Sequence, residues 1–293
     1  MGRIPIALAL AALCLGAGAE DARKTVRATT PDEFLRAVAP DVVIVLAPGV
    51  YDLGAAKSRL GGFAAWVGSG EGRALVLRGL RNFSLRAEDP SSPTEIVTPN
   101  SDAAVISFEN CVDSSVSGLR LAHRARNACA GPVLSAFACS GIAIEDCVLD
   151  GCGALGLEVD NCDNVASRRV VISNCGRSGT SVWASEFVSF SDCVFRGNAA
   201  RPLVLAGEAE ELSFSRTVFE GNKGSAILGT IGQPYGPASF KECSFRSNAV
   251  DSWSDGAPSR ARGCSFEGNG FAAPPEAPPE EEKAGGRGPG LNR

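Results

Sequence analysis

The sequence has a single histidine, His123, and few aromatic side chains: two Tyr, three Trp and 14 Phe in 293 residues. A long cleft walled by aromatic rings is therefore not expected, although a shallow polar one is. An excess of positive charge is also missing. The formal net charge of −5 leaves no basic footprint for nucleic acid. No leucine-rich-repeat consensus occurs, and no helix-length amphipathic stretch separates the apolar segments of the central region.

What is present starts with "MGRIPIALALAALCLGAGAE". Arg3 supplies a positive start, residues 4–15 form a short apolar run, and "AGA" ends at Ala19. This pattern predicts a secretory signal over residues 1–19, too short to span a membrane as a stable helix. A secreted or periplasmic protein follows. Two competing readings are a lipoprotein anchored at Cys14, which has Leu13 where a small residue is needed, and a buried N-terminal helix. Cleavage would remove Arg3 and Cys14, leaving a charge of about −6 and ten of the 11 cysteines.

The chain then repeats itself. "CVFRGN" at 193–198 returns as "TVFEGN" at 217–222, "CSFRSN" at 243–248 and "CSFEGN" at 264–269. Equivalent positions run Leu119, Cys147, Val170, Cys193, Thr217, Cys243 and Cys264, with steps of 28, 23, 23, 24, 26 and 21 residues. A unit of this length signals a solenoid in which each unit buries its face against its neighbours. The units alternate apolar and polar residues, as in "VSFSDCVF", "LSFSRTVF" and "ASFKECSF", which is the period of a strand. A second strand recurs in "AVISF", "PVLSAF", "LGLEV", "TSVW", "PLVLA" and "SAILG". Two or three short strands per unit, stacked in register, predict a parallel β-helix.

The hexamer then has a physical reason. Its first residue and the Phe two positions later alternate into the core, and coils about 4.8 Å apart set like residues on like. The last position runs Cys152, Cys175, Asn198, Asn222, Asn248 and Asn269. An Asn column at a turn can pass amide hydrogen bonds from coil to coil, and Asn and Gly tolerate the left-handed conformation of a tight corner.

The spacing, the Phe-x-Gly-Asn turns and "APGVYDL" at 47–53 resemble the right-handed parallel β-helix repeat proteins of the pectate-lyase-like superfamily, over about residues 42–266. The resemblance implies an all-β, single-stranded right-handed solenoid. It implies no single activity, because the superfamily holds lyases, hydrolases, epimerases, esterases and adhesins. The motifs of its enzymes are absent: no Asp-Asp, Gly-His-Gly and Arg-Ile-Lys set of polygalacturonases, no Arg-x-Pro-x-x-Arg of pectate lyases, no Asp-Pro-His of alginate epimerases. Arg201-Pro202 lacks the partners of the lyase motif. A lyase of another kind would use a basic residue beside carboxylate-bound Ca²⁺.

Candidate residues follow from position. Aligning Leu121 with Leu149 sets His123 level with Gly151 and Arg124 level with Cys152, at the top of the turn column. His123 and Arg124 are the candidate catalytic pair. The enlarged coil also carries Cys129 and, with Arg120, Arg124 and Arg126, a local basic cluster that would otherwise be solvated or ion-paired. Cys129, Cys152 and Cys175 are disulfide candidates, with Cys129 paired to one of the other two. Alternatively the thiols replace Asn in the column and stay reduced, or they bind Zn²⁺ with His123, although no Cys-x-x-Cys hook supports a metal. Cys111, Cys139 and Cys162, and Cys147, Cys193, Cys243 and Cys264, form further columns and read as free core thiols. Glu158, Asp160 and Asp163 are candidate binding carboxylates; their alternative is ordinary strand and turn solvation. Trp183 and Trp253 lie on the second strand and could stack on a sugar or be half-buried under a loop. "GSGEG" at 68–72 lacks the Gly-Lys-Ser/Thr ending of a phosphate cradle.

The ends complete the layout. "TTPDEFLRAVAP" has Thr30 as N-cap, Pro31 at the first helical position and Glu33 for a capping box, so a short helix is expected to cover the first coil. The expected division is signal peptide 1–19, N-terminal segment and capping helix 20–41, β-helix 42–270, and a Pro/Glu/Gly-rich disordered tail 271–293. Two functions are carried forward. One is a secreted β-helix with a polysaccharide-related role, binding a polysaccharide or cell-envelope glycan and extending to lyase-like processing with Ca²⁺. The other is a non-catalytic adhesin-like scaffold for a protein or cell-envelope partner. A monomer without nucleic-acid partners is expected in either case.

Overall fold

A computed structural model describes residues 23–68, 73–124, 129–151, 155–232 and 236–278. The expected signal peptide and most of the expected disordered tail lie outside these residues. Three sheets run along the molecule. The first has ten strands, from Lys24–Ala28 and Val42–Leu46 through Asp163–Arg168 and Glu186–Ser191 to Ser259–Arg262. The second has nine, from Gly49–Asp52 through Arg120–His123 and Val194–Arg196 to Ser265–Glu267. The third has ten and includes Leu134–Phe137, Leu155–Asp160, Ser178–Trp183 and Val204–Gly207. The chain visits them in turn, so each strand pairs in parallel with its equivalent one coil away, as the repeat predicts. Among the described residues one pair is antiparallel, Ala64–Val67 with Ala74–Arg78 in the third sheet.

The interior is built by like on like. In the second sheet Ile172, Phe195, Phe219, Phe245 and Phe266 are in register. Their rings stack at 4.6–5.0 Å from Phe195 to Phe266. A second stack, Phe190, Phe214 and Phe240, rises from the first sheet at 4.9 and 4.8 Å. The two stacks meet edge to face. Each buried Phe contributes roughly 1.5–3 kcal/mol over leaving it exposed.

The corners are equally repetitive. Gly197, Gly221, Ser247 and Gly268 have φ of 63°, 60°, 53° and 60°, the left-handed turn that the hexamer's fifth position must take. The following Asn side chains form the predicted ladder. Asn198 donates from its backbone N–H and its Nδ2 to Oδ1 of Asn222 at 3.1 and 3.0 Å, and Asn222 does the same to Asn248 at 3.1 and 2.8 Å. A second corner uses sulfur for the same task. The N–H groups of Cys111 and Cys139 point to the Sγ atoms of Cys139 and Cys162 at 3.4 and 3.3 Å, and Cys162 N–H donates to Ser185 Oγ at 3.0 Å. The seven column thiols are free, and all but Cys264 are buried. The third corner carries a column of alternating charge. Asp146, Arg169, Asp192, Arg216 and Glu242 all have positive φ, and Arg169 reaches Asp146 at 2.7 Å while Arg216 reaches Asp192 at 2.7 Å.

The N-terminal helix spans Pro31–Ala37 with Thr30 as N-cap. Thr30 Oγ1 accepts from Glu33 N–H at 3.2 Å, and the Glu33 carboxylate accepts from Thr29 N–H and Oγ1 at 2.8 and 2.7 Å. Phe34, Leu35 and Val38 are buried in the core beneath it. The strand Lys24–Ala28, which sequence reading left unassigned, extends the first sheet ahead of this helix. Its alternation is weak because only Ala28 is fully buried. At the other end Glu276 bridges to Ala261, and Ala277 N–H donates to the Ala261 carbonyl at 2.8 Å.

Candidate functional site

The long loops between the second and third sheets stack on one another in the N-terminal coils. Ala130 and Gly131 N–H groups donate to the Ser101 carbonyl, and Arg124 N–H to the Thr98 carbonyl. His123 lies beneath this lobe with only 9% of its surface exposed. Its Nε2 is 2.8 Å from the Ala103 carbonyl, which requires a proton on Nε2. Nδ1 is buried and has no partner among the described residues. Burial holds the imidazole below its usual pKa, and the Ala103 bond offsets this in part. Arg124 points outward to Asp52 at 3.8 Å. Arg120 pairs with Glu95 and Asp150, and Arg126 lies outside the described residues. His123 and Arg124 are thus neighbours in sequence that face different surroundings.

Cys129 is buried and disulfide-bonded. Cys175 is free, so it is not the partner; Cys152 lies outside the described residues. Cys175 stands in the turn column, with its N–H on Asn198 Oδ1 at 2.9 Å. The thiols therefore divide between two of the sequence readings. A bonded Cys129 cannot give the third thiolate of a Zn²⁺ site. Among the described residues no three His, Cys, Asp or Glu side chains gather to hold a metal.

The outer face of the third sheet holds a cleft of about 190 Å³ lined by Leu155, Glu158, Asp160, Arg177, Ser181 and Trp183, among others. Strand alternation puts Glu158 and Asp160 on one face, and register sets Asp160 beside Trp183. The indole leans over two glycines. A Cβ on Gly207 would lie 2.6 Å from Trp183 Cε3, and one on Gly232 2.6 Å from Cη2. Glycine is needed at both positions to seat the ring. Burial raises the pKa of Glu158, and a 3.3 Å bond from Ser135 opposes it; burial also raises that of Asp160. Asp163 is elsewhere, in the first sheet, where its carboxylate accepts from Asn164 Nδ2 at 2.9 Å. The corner at Asn161, with φ of 53°, turns it away from the other two carboxylates. The three candidate carboxylates are therefore divided between two sheets. Trp253 is half-buried at the C-terminal end, packed on Phe240, Phe245, Phe266 and Phe271.

Sequence reading missed two features. One is Phe137, 45% exposed, in register with Asp160 on the other side from Trp183. The steps from Phe137 to Asp160 to Trp183 are both 23 residues, so the period itself held this signal. The other is a groove of about 520 Å³ along the first sheet, with Ala143, Ala166, Ser189 and Ser213 in its lining, together with Asn164, Glu211 and Phe187. Phe187 is 47% exposed and has φ of 53°.

Comparison with known proteins agrees with this architecture. The right-handed beta helix region family matches residues 100–271, and the chain belongs to that family. Three solved structures share the fold. A pectate lyase from Paenibacillus sp. 0602 is 8% identical, with 76% of this chain and 71% of that chain covered and a TM-score of 0.56. The pectin methylesterase PemA from Erwinia chrysanthemi is 12% identical, with 80% and 82% covered and a TM-score of 0.54. The catalytic domain of a GH87 α-1,3-glucanase, in complex with tetrasaccharides, is 10% identical, with 86% and 46% covered and a TM-score of 0.54. No curated protein matches.

Proposed function

We propose that this protein binds polysaccharide on the outer face of its third sheet, outside the cytoplasm. The observation that carries the reading is the Trp183 cleft: a seated indole beside two carboxylates, an arginine and a serine. An indole offers a flat apolar face to the C–H groups of a sugar, and the polar groups around it can fix its hydroxyls. The pectin- and glucan-processing proteins that share the fold support a glycan over other ligands. Export rests on the leader expected at residues 1–19, and the exported chain would then start at Glu20.

Binding is favoured over lyase chemistry. His123 is enclosed beneath the loop that it bonds and is not presented to a polymer, and Arg124 faces outward, 3.8 Å from Asp52, with no second candidate group beside it among the described residues. A scaffold for a protein or cell-envelope partner is the second reading, favoured by exposed Phe187 above the small-residue groove of the first sheet.

The test uses the mature protein on a panel of neutral and acidic polysaccharides, with and without Ca²⁺. Retention and the ultraviolet absorbance of unsaturated uronates are followed together. Retention without absorbance, lost in Trp183→Ala, is the expected result. Rising absorbance that disappears in Arg124→Ala would make the protein a lyase. Absence of retention on every polymer would leave only the scaffold reading.

A further inference from the structure

We infer that the ligand is a neutral, β-1,4-linked glycan that lies along the solenoid axis with alternate sugars stacked on Phe137 and Trp183. This rests on the polysaccharide reading above and specifies its substrate.

The first argument is spacing. Phe137, Asp160 and Trp183 occupy the same register position in three successive coils of the third sheet. Coils step by about 4.8 Å, so the two aromatic positions are about 10 Å apart. In an extended β-1,4-linked chain each sugar is turned by about half a turn from the last, and alternate sugars present the same face over about that length. A helical α-linked glucan does not keep this repeat. The solenoid and such a chain therefore share a period, and one ligand can pass both positions without bending.

The second argument is shape. Phe137 is one of the few large apolar side chains left in the open. Trp183 is held in place over Gly207 and Gly232. The next residue of the column is Gly207, over which the indole and Ile231 lie, so the aromatic surface ends at this coil. On the other side the column continues to Glu109 and Arg78, which pair at 2.9 Å.

The third argument is charge. Asp160 lies between the two aromatic positions, and Glu158 lies two residues away on the same face of the strand. Against these two carboxylates stands Arg177. Burial opposes ionisation of both carboxyls, so the site already resists negative charge. A uronate would add more of it. Hydroxyls of a neutral sugar would instead donate to Asp160 and Glu158.

Calorimetric titration with β-1,4-linked gluco- and manno-oligosaccharides of two to six units tests this, with α-1,4-linked gluco-oligosaccharides and oligogalacturonates as comparators. Two platforms separated by an intervening sugar need three units to be bridged. Affinity should therefore rise about tenfold from the disaccharide to the trisaccharide. Phe137→Ala should abolish that rise, so that longer oligosaccharides bind no better than the disaccharide, and Trp183→Ala should weaken binding at every length. Phe187→Ala, on the first sheet, should bind as the parent does. All three side chains are at least partly exposed, and far-ultraviolet circular dichroism checks that the variants are folded. If oligogalacturonate binds more tightly, or Phe137→Ala keeps the length dependence, the inference fails and the polysaccharide reading stands; if only Phe187→Ala loses binding, the inference fails and the glycan site moves to the first sheet. If no oligosaccharide and no polymer binds, the polysaccharide reading falls with it.

Discussion

Burial decides the protonation of the column thiols and of the single imidazole. The Cys147 and Cys175 thiols are pushed up to about 12 and that of Cys193 to about 11, chiefly by loss of solvent. They remain neutral at physiological pH and serve as small apolar core residues. The imidazole of His123 is held neutral by the same cause, below its ordinary value of 6.5. The folded protein then binds fewer protons here than the unfolded chain. Stability from this site is complete above pH 6.5 and is lost as pH falls below it. A His123→Gln variant should show a flatter dependence of its urea midpoint between about pH 7 and pH 5 than the parent, with which it shares every carboxylate. An unchanged slope would mean that the imidazole is solvated. The prominence of His123 was legible in the sequence; its bond to Ala103 was not, because that partner lies in a loop outside the repeat.

At the scale of elements, corners rather than strands distinguish one part of the solenoid from another. The Asn corner is satisfied from both sides: Asn222 Oδ1 accepts two bonds from Asn198, while Asn222 Nδ2 donates to Phe195 O and Asn248 Oδ1. Asn222→Ala would leave buried donors and an acceptor unpaired, at a cost of about 2–4 kcal/mol. Asn269→Ala, in the partly exposed last coil, should cost about 1 kcal/mol or less, since water can replace the lost partner. Equal losses in urea unfolding would show that the ladder does not carry this energy. The Asn and Phe columns were legible because every coil poses the same steric problem. The thiol ladder was half legible. Burial of Cys111, Cys139 and Cys162 follows from their spacing, but their acceptance of the preceding coil's N–H depends on a corner geometry that sequence alone does not show. The Trp183 cleft was legible only in part. Glu158, Asp160 and Trp183 were singled out, whereas Asp163 turned to another sheet and the seating by Gly207 and Gly232 depends on the fold.

The whole molecule has unlike ends. The first coil is sealed by the helix Pro31–Ala37, with Phe34 and Leu35 buried to 0% and 1% exposure. At the last coil Cys264 and Phe266 remain half-open, although Phe195 in the interior is 0% exposed. A solenoid opens from its weaker end, since each coil is held only by its neighbours. Amides of Ser265–Glu267 should therefore exchange with solvent well before those of Val194–Arg196. Uniform exchange along the axis would mean that the chain opens as a single unit. The charge column at the third corner has a separate consequence for assembly. A chain of near-identical coils risks omitting one, because the apolar residues of one level also fit against those of the level beyond its neighbour. Were the Arg169 coil looped out, Asp146 would face Asp192; were the Asp192 coil lost instead, Arg169 would face Arg216. The alternating signs thus act as a parity mark along the stack, penalising a miscount that the apolar interior cannot detect.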